Sequence, residues 1–265
     1  MLTLALPFML LMTYEEWFLR TFEMQSIYPF DATRVDPEDA GEGRLREVTL
    51  ETTDGEVLIL WVGMPENAVA TILYLPGNAG NLATRADRFS HFLDLGYGVV
   101  ALGYRGSSGS SGRPNEAALS SDALLVFDSV QSLAGTTNGA IILYGESLGT
   151  ALAAKIAAQR TAKGVILEAP CTSIPDLAKI QYPGIDLSGI LTEFWDTAAI
   201  IGDMDEPLLI LHGADDQLVP LAQGQTIFAL AGSTQKWMEA LPGVGHQGLW
   251  TETALAALDA FLERL

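Results

Sequence analysis

The sequence predicts an α/β protein built on a mostly parallel central sheet with helices on both faces. Three observations carry that expectation. From residue 69 onward, short apolar and β-branched runs alternate with helix-like segments, the pattern of βαβ units. The runs are continuous, as in V-A-T-I-L-Y-L at residues 69–75, so each strand is buried on both sides. Glycine-rich and polar motifs fall where the runs end, the edge at which open α/β sheets bind ligands.

The totals agree. A chain of 265 residues with 49% hydrophobic and 18% charged residues can bury one large core. Residues 45–265 read as one domain, preceded by residues 1–44, an apolar segment and an extended connection. The formal charge of −19 excludes nucleic acid as a partner, because phosphate binding needs basic patches. It also disfavours attraction to an anionic membrane. Lys155, Lys163, Lys179 and Lys236 are the only lysines, and Cys171 is the only cysteine. No internal disulfide can form, which fits a cytoplasmic protein. Three histidines and one cysteine, far apart in sequence, show no metal-ligand spacing.

Taken in order, residues 2–12 are apolar and interrupted by Pro7. They are too few to span a bilayer, which takes about 20 residues. They also lack the basic start and small-residue cleavage site of a signal peptide. Trp17, Phe18 and Phe22 continue an apolar face at helical spacing. Residues 1–22 therefore serve either a peripheral membrane or lipid contact or packing on the body or a partner subunit. No feature specifies the oligomeric state. Residues 27–43 read as an extended connection. Strands at 45–53 and 56–63 flank Asp54-Gly55, a hairpin signal.

A strand at 69–75 leads into P-G-N-A-G-N and a helix at 82–95. Strands follow at 97–103, 140–144, 165–167, 208–211 and 235–241. Helices are expected at 116–133, 148–160, 221–230 and 251–264, and residues 170–206 read as irregular.

The chemistry centres on Gly145-Glu146-Ser147-Leu148-Gly149, between an apolar strand and an alanine-rich helix. A strand that becomes a helix this abruptly holds its turning residue at strained, positive φ. Glycines flank it because side chains there would collide. The Ser147 hydroxyl then stands at the top of the sheet, beside the positive end of a helix, as a nucleophile elbow. A serine needs a base. His91 falls within a predicted helix, and His212 closes a strand in L-I-L-H-G. His246 lies in G-V-G-H-Q-G, after the last strand, where glycines let an imidazole reach across the strand ends. His246 is therefore the expected base. Its acid partner is Asp215 or Asp216 in H-G-A-D-D-Q-L-V-P, with Glu168 at another strand end as a third choice. The oxyanion needs preorganised N–H donors. The elbow supplies that of Leu148. The loop of Gly77 and Gly80 supplies a second, near Asn78 and Ala79. Ser147, then an aspartate, then His246 is the chain order of α/β hydrolases.

These motifs, with T-T-D-G-E-V-L, G-Y-R-G-S-S-G-S-S-G-R-P and L-E-A-P-C-T-S, resemble the α/β-hydrolase superfamily. The resemblance is closest to its bud-emergence-type and depalmitoylase-like serine hydrolases, and runs from about Thr49 to the C-terminus. It implies the α/β-hydrolase fold, Asp216 as the triad acid and Asn78 as the second oxyanion donor. It also implies a small lid at 171–206, in which Cys171, Tyr182, Phe194 and Trp195 contact an acyl or other apolar part of the substrate. Three departures stand out: Pro76-Gly77 replaces His-Gly, Cys171 replaces an aromatic residue, and the N-terminal apolar run is shorter than the usual anchor. The implied activity is hydrolysis of carboxylic esters or thioesters through an acyl-enzyme, with no cofactor. A serine peptidase with the same triad, or an inactive binding protein of the same fold, is the alternative.

Overall fold

Alternation along the strands sets the architecture. In β5 (Ile141–Glu146), Ile141 and Leu143 point to one side and Ile142 and Tyr144 to the other, and all four are buried. β3 (Thr71–Leu75) divides likewise, with Leu73 and Leu75 on the first side and Ile72 and Tyr74 on the second. Each side needs a cover of helices.

The computed structural model describes residues 14–135, 140–187 and 189–265, with side chains from Leu19 onward. The remaining strands are β1 (Arg46–Glu51), β2 (Val57–Gly63), β4 (Gly98–Gly103), β6 (Gly164–Glu168), β7 (Leu208–Gly213) and β8 (Lys236–Leu241). They form one sheet in the order β1-β2-β4-β3-β5-β6-β7-β8. β1 and β2 make the expected hairpin and β2 pairs antiparallel with β4. All later pairings are parallel. The α/β-hydrolase fold implied by the motifs is what the chain adopts.

Helices α3 (Glu116–Ala134), α4 (Leu148–Ala157) and α7 (Leu221–Leu230) cover one face. α2 (Ala86–Asp94) and α8 (Glu252–Leu262) cover the other. β3 opens at Thr71, because Val69 lies outside the sheet and is exposed. A 3-10 turn at Leu82–Arg85 precedes α2 in the segment expected to be one helix.

The stretch read as irregular contains α5 (Ile174–Gln181) and the short α6 (Thr197–Ile200). Its overlooked signals are Ser173, whose side chain caps the Asp176 N–H, and Pro175 in the first turn. Before the sheet, α1 (Tyr14–Ile27) packs differently from the expected apolar face. Phe22 is half exposed, whereas Glu23 and Ile27, one turn apart, are buried. Packing on the body is thus visible for the end of α1, while the apolar run at residues 2–12 lies outside the described residues. Among those described, no helix is long and apolar enough to cross a membrane.

Candidate active site

The β5–α4 turn compresses strand and helix together. A Cβ on Gly149 would lie 2.0 Å from the Leu75 carbonyl oxygen, and one on Gly145 would lie 2.5 Å from that of Gly149. Only glycine fits either position. Ser147 between them has φ 48° and ψ −110°, a conformation that costs an L-residue roughly 1–3 kcal/mol. The surroundings hold it there. Its N–H donates to the Glu168 carbonyl at 2.8 Å, and its carbonyl accepts from the Thr150 N–H and hydroxyl at 3.0 and 2.6 Å.

The ends of β7 and β8 bring the other groups across. A Cβ on Gly213 would fall 2.3 Å from the Gly245 carbonyl, so the two loops touch backbone to backbone. The Asp215 N–H donates to the Val244 carbonyl at 2.9 Å. His246 consequently stands between serine and aspartate: its Nε2 is 3.0 Å from Ser147 Oγ and its Nδ1 2.7 Å from Asp216 Oδ2. Asp216 is buried and Asp215 exposed. Burial alone would raise the Asp216 carboxyl. Hydrogen bonds from His246 and from the Val219 and Leu218 N–H groups outweigh it and hold the carboxyl below the ordinary carboxylate range.

Of the other histidines, His91 pairs with Asp259 on α8 at 3.0 Å, away from this chain of groups. His212 is fully buried, with Nε2 2.8 Å from the Val219 carbonyl and 3.8 Å from Asp216 Oδ2. It braces the acid loop, and burial lowers its pKa.

A cavity of about 400 Å³ opens at the serine. Asn78 lies on its wall, and the Asn78 side chain donates to the Ile27 carbonyl at 2.8 Å, tying that loop to the end of α1. Leu148 opens α4, so its N–H has no acceptor within the helix. The rest of the wall mixes the polar Arg85, Arg88, Glu146, Glu168 and Gln247 with the apolar Ala79, Ala169 and Leu218. Sequence reasoning missed both arginines. Their signal is a spacing of three at a helix start just after the P-G-N-A-G-N loop, which puts both on one face.

Glu146 and Glu168 are held by these arginines. The Glu146 carboxylate accepts from Arg85 Nε and Nη2 at 3.0 and 2.8 Å and from the Tyr74 hydroxyl at 2.9 Å. Burial opposes its ionisation, but these donors hold it at about 2. Glu168 receives a two-pronged contact from Arg88 at 2.8 and 3.0 Å, with the Tyr144 hydroxyl and Trp250 indole also donating. It does not reach His246 as a triad acid would.

The four lid residues expected to touch substrate fall outside this cavity wall. Trp195 is fully buried, donating to the Tyr28 hydroxyl at 2.9 Å beneath the Lys155 ammonium. Cys171 is also buried, its thiol pushed up to about 12 by desolvation. Tyr182 is exposed, and half-exposed Phe194 lines a separate groove of about 410 Å³ against Pro175, Ile185, Leu187 and Leu191. For Trp195 the cause is local: the backbone N–H groups of residues 192–195 bond the carboxylates of Glu23 and Glu116, and the Trp195 side chain is buried beside them.

The model of the serine aminopeptidase S33 family matches residues 66–200. Protein bem46 of Schizosaccharomyces pombe is 32% identical over 206 residues, covering 76% of this chain and 67% of its own. Lysophosphatidylserine lipase ABHD12 of Mus musculus is 29% identical over 244 residues, covering 77% of this chain and 60% of its own. Among solved structures, the Pyrococcus furiosus esterase Pf2001 superposes with a TM-score of 0.73 at 16% identity, over 89% of this chain and 98% of that one. At that identity the likeness speaks for the fold.

Proposed function

From the premise that the chain belongs to the α/β-hydrolase family of the serine aminopeptidase S33 model, in the branch of bem46 and ABHD12, we propose that it is a serine hydrolase of carboxylic esters or thioesters. The observation that carries this reading is the unbroken chain Ser147 Oγ–His246 Nε2, His246 Nδ1–Asp216 Oδ2, at 3.0 and 2.7 Å. His246 takes the Ser147 proton as Oγ attacks the acyl carbon. Asp216 orients the imidazole and stabilises its cation. The N–H groups of Leu148 and Asn78 receive the oxyanion, His246 protonates the leaving group, and water repeats the sequence on the acyl-enzyme. No cofactor enters these steps.

A lipase among the relatives supports an acyl ester with a polar head. The wall, where charged and amide side chains alternate with Ala79, Ala169 and Leu218, suits a substrate with both a polar and an apolar part. An aminopeptidase needs a free carboxylate for the peptide amine. Glu146 and Glu168 are the carboxylates at hand, and both are engaged by arginines, which favours the ester reading.

A fluorophosphonate probe tests the proposal. The wild type should be labelled at Ser147 and Ser147→Ala should not. An unlabelled wild type, or undiminished labelling of the variant, would overturn it. Esters and thioesters of graded acyl length then rank the substrates.

A further inference from the structure

Glu146 sits immediately before the nucleophile, and the triad makes no use of it. Its partners explain its position. The Arg85 guanidinium faces two ways at once. Nε and Nη2 grip the Glu146 carboxylate at 3.0 and 2.8 Å. Nη1 donates to the carbonyls of Ala79 and Asn81, the residues on either side of Gly80 in the loop of Asn78. That loop rests on the pair so closely that a Cβ on Gly77 would lie 3.0 Å from Glu146 Oε1, and one on Gly80 3.0 Å from Arg85 Nη1. Tyr74 adds a hydroxyl to Glu146 at 2.9 Å and accepts from Arg88 at 2.7 Å.

Resting on the hydrolase reading above, we propose that Arg85 and Glu146 are positioning residues that fix the two halves of the oxyanion hole relative to each other. One donor, Leu148, belongs to the β5–α4 elbow; the other, Asn78, belongs to the loop after β3. Pairing of β3 with β5 fixes the backbone only as far as Leu75 and Gly145, and the loop of Asn78 lies beyond it. The guanidinium ties that loop down, because it bonds both the residue before the nucleophile and the Ala79 and Asn81 carbonyls. It also neutralises a carboxylate that would otherwise oppose negative charge developing on the substrate. A buried ion pair returns little net stability, so the contribution of this one lies in geometry.

Pro76, which cannot donate a backbone hydrogen bond, is held instead through its carbonyl by the Tyr104 hydroxyl at 2.8 Å.

The test compares wild type, Arg85→Gln, Arg85→Lys, Glu146→Gln and the Arg85→Gln/Glu146→Gln double variant on an activated p-nitrophenyl ester. A trifluoromethyl ketone serves as probe of the oxyanion hole. Ser147 Oγ adds to its carbonyl, the serine proton passes to His246, and the resulting oxyanion occupies the hole. We expect kcat to fall on the order of 100-fold in Arg85→Gln and Glu146→Gln, with KM within about threefold of wild type. Ketone affinity should fall in step with kcat. The double variant should lose little more than the worse single variant, as two ends of one brace require. Arg85→Lys keeps the charge but lacks the fork, so it should lie between wild type and Arg85→Gln.

Folded Arg85→Gln and Glu146→Gln enzymes with kcat within about twofold of wild type would overturn the proposal. Loss of kcat with ketone affinity unchanged would do the same. If Arg85→Gln does not fold, Arg85→Lys and Glu146→Gln carry the same test. A wild type that neither turns over the ester nor reacts at Ser147 would overturn the hydrolase reading itself, a result distinct from an active wild type with unaffected variants.

Discussion

Ser147 is held in a conformation that few L-residues adopt, and the strain places its hydroxyl 3.0 Å from His246. At the next link, two neighbouring aspartates differ by burial and not by chemistry. Asp216 receives His246 and two backbone N–H groups, while Asp215 faces solvent. Asp216→Asn should therefore lower kcat on the order of 10⁴-fold by favouring the wrong imidazole tautomer, and Asp215→Asn should change it by less than about twofold. Steady-state kinetics on one ester decides; equal losses would reassign the acid. The sequence alone left the two aspartates open. Motif resemblance favoured Asp216, and the stitching of its loop to the His246 loop is the physical reason.

Among the elements, α1 and the segment before α6 are the pair whose relation no local pattern announces. Glu23 on α1 is buried and accepts from the Thr192 N–H at 2.6 Å, the Thr192 hydroxyl at 2.8 Å and the Glu193 N–H at 3.0 Å. Glu193 in turn accepts from Tyr28 and from the Glu116 N–H at the start of α3. Glu116 accepts from the Phe194 and Trp195 N–H groups. Three carboxylates thus stitch α1 and α3 to residues 192–195. Glu23→Ala would leave the buried Glu193 N–H without an acceptor, at about 1–3 kcal/mol, and return the part-buried Thr192 N–H to solvent. A clear drop in Tm and faster amide exchange confined at first to residues 192–195 are the expected outcomes. Exchange unchanged there would show that the segment is held by other contacts. The residues read as a substrate-facing lid are, in this part, a fastening.

For the whole molecule, the balance of −19 and the buried carboxylates act together on acid stability. Arg44 holds Glu42 at about 2, and Arg85 with Arg88 and Tyr74 outweighs burial to hold Glu146 at about 2; Asp216 and Glu116 are lowered as well. A carboxylate with a depressed folded pKa contributes stability that is present above its unfolded pKa and lost as pH falls through the folded one. Stability should therefore be level above roughly pH 6.5, decline gently below it because buried His212 resists a proton that the unfolded chain accepts, and fall steeply between about 4.5 and 2. Urea midpoints measured across that range check this. Glu146→Gln should flatten the lower part of the curve, and an unchanged slope would remove Glu146 from the account. Added salt should raise stability near neutrality by screening repulsion among the excess acids.

Strand positions, the hairpin at Asp54-Gly55, the elbow and the loop of His246 follow from local rules: period-two burial, turn chemistry and the intolerance of a tight strand-to-helix turn for side chains. The sequence by itself determined these, and with them the chain order of the groups that meet at Ser147. Tertiary structure decided which partner each charge finds. Arg85 and Glu146 are 61 residues apart and Glu23 and Thr192 169 apart, separations over which no periodicity speaks. A buried charge must be paired wherever the fold brings a partner within reach. Such pairings turned Trp195 inward, gave Glu146, the residue before the nucleophile, its Arg85 partner and set the oxyanion loop upon it.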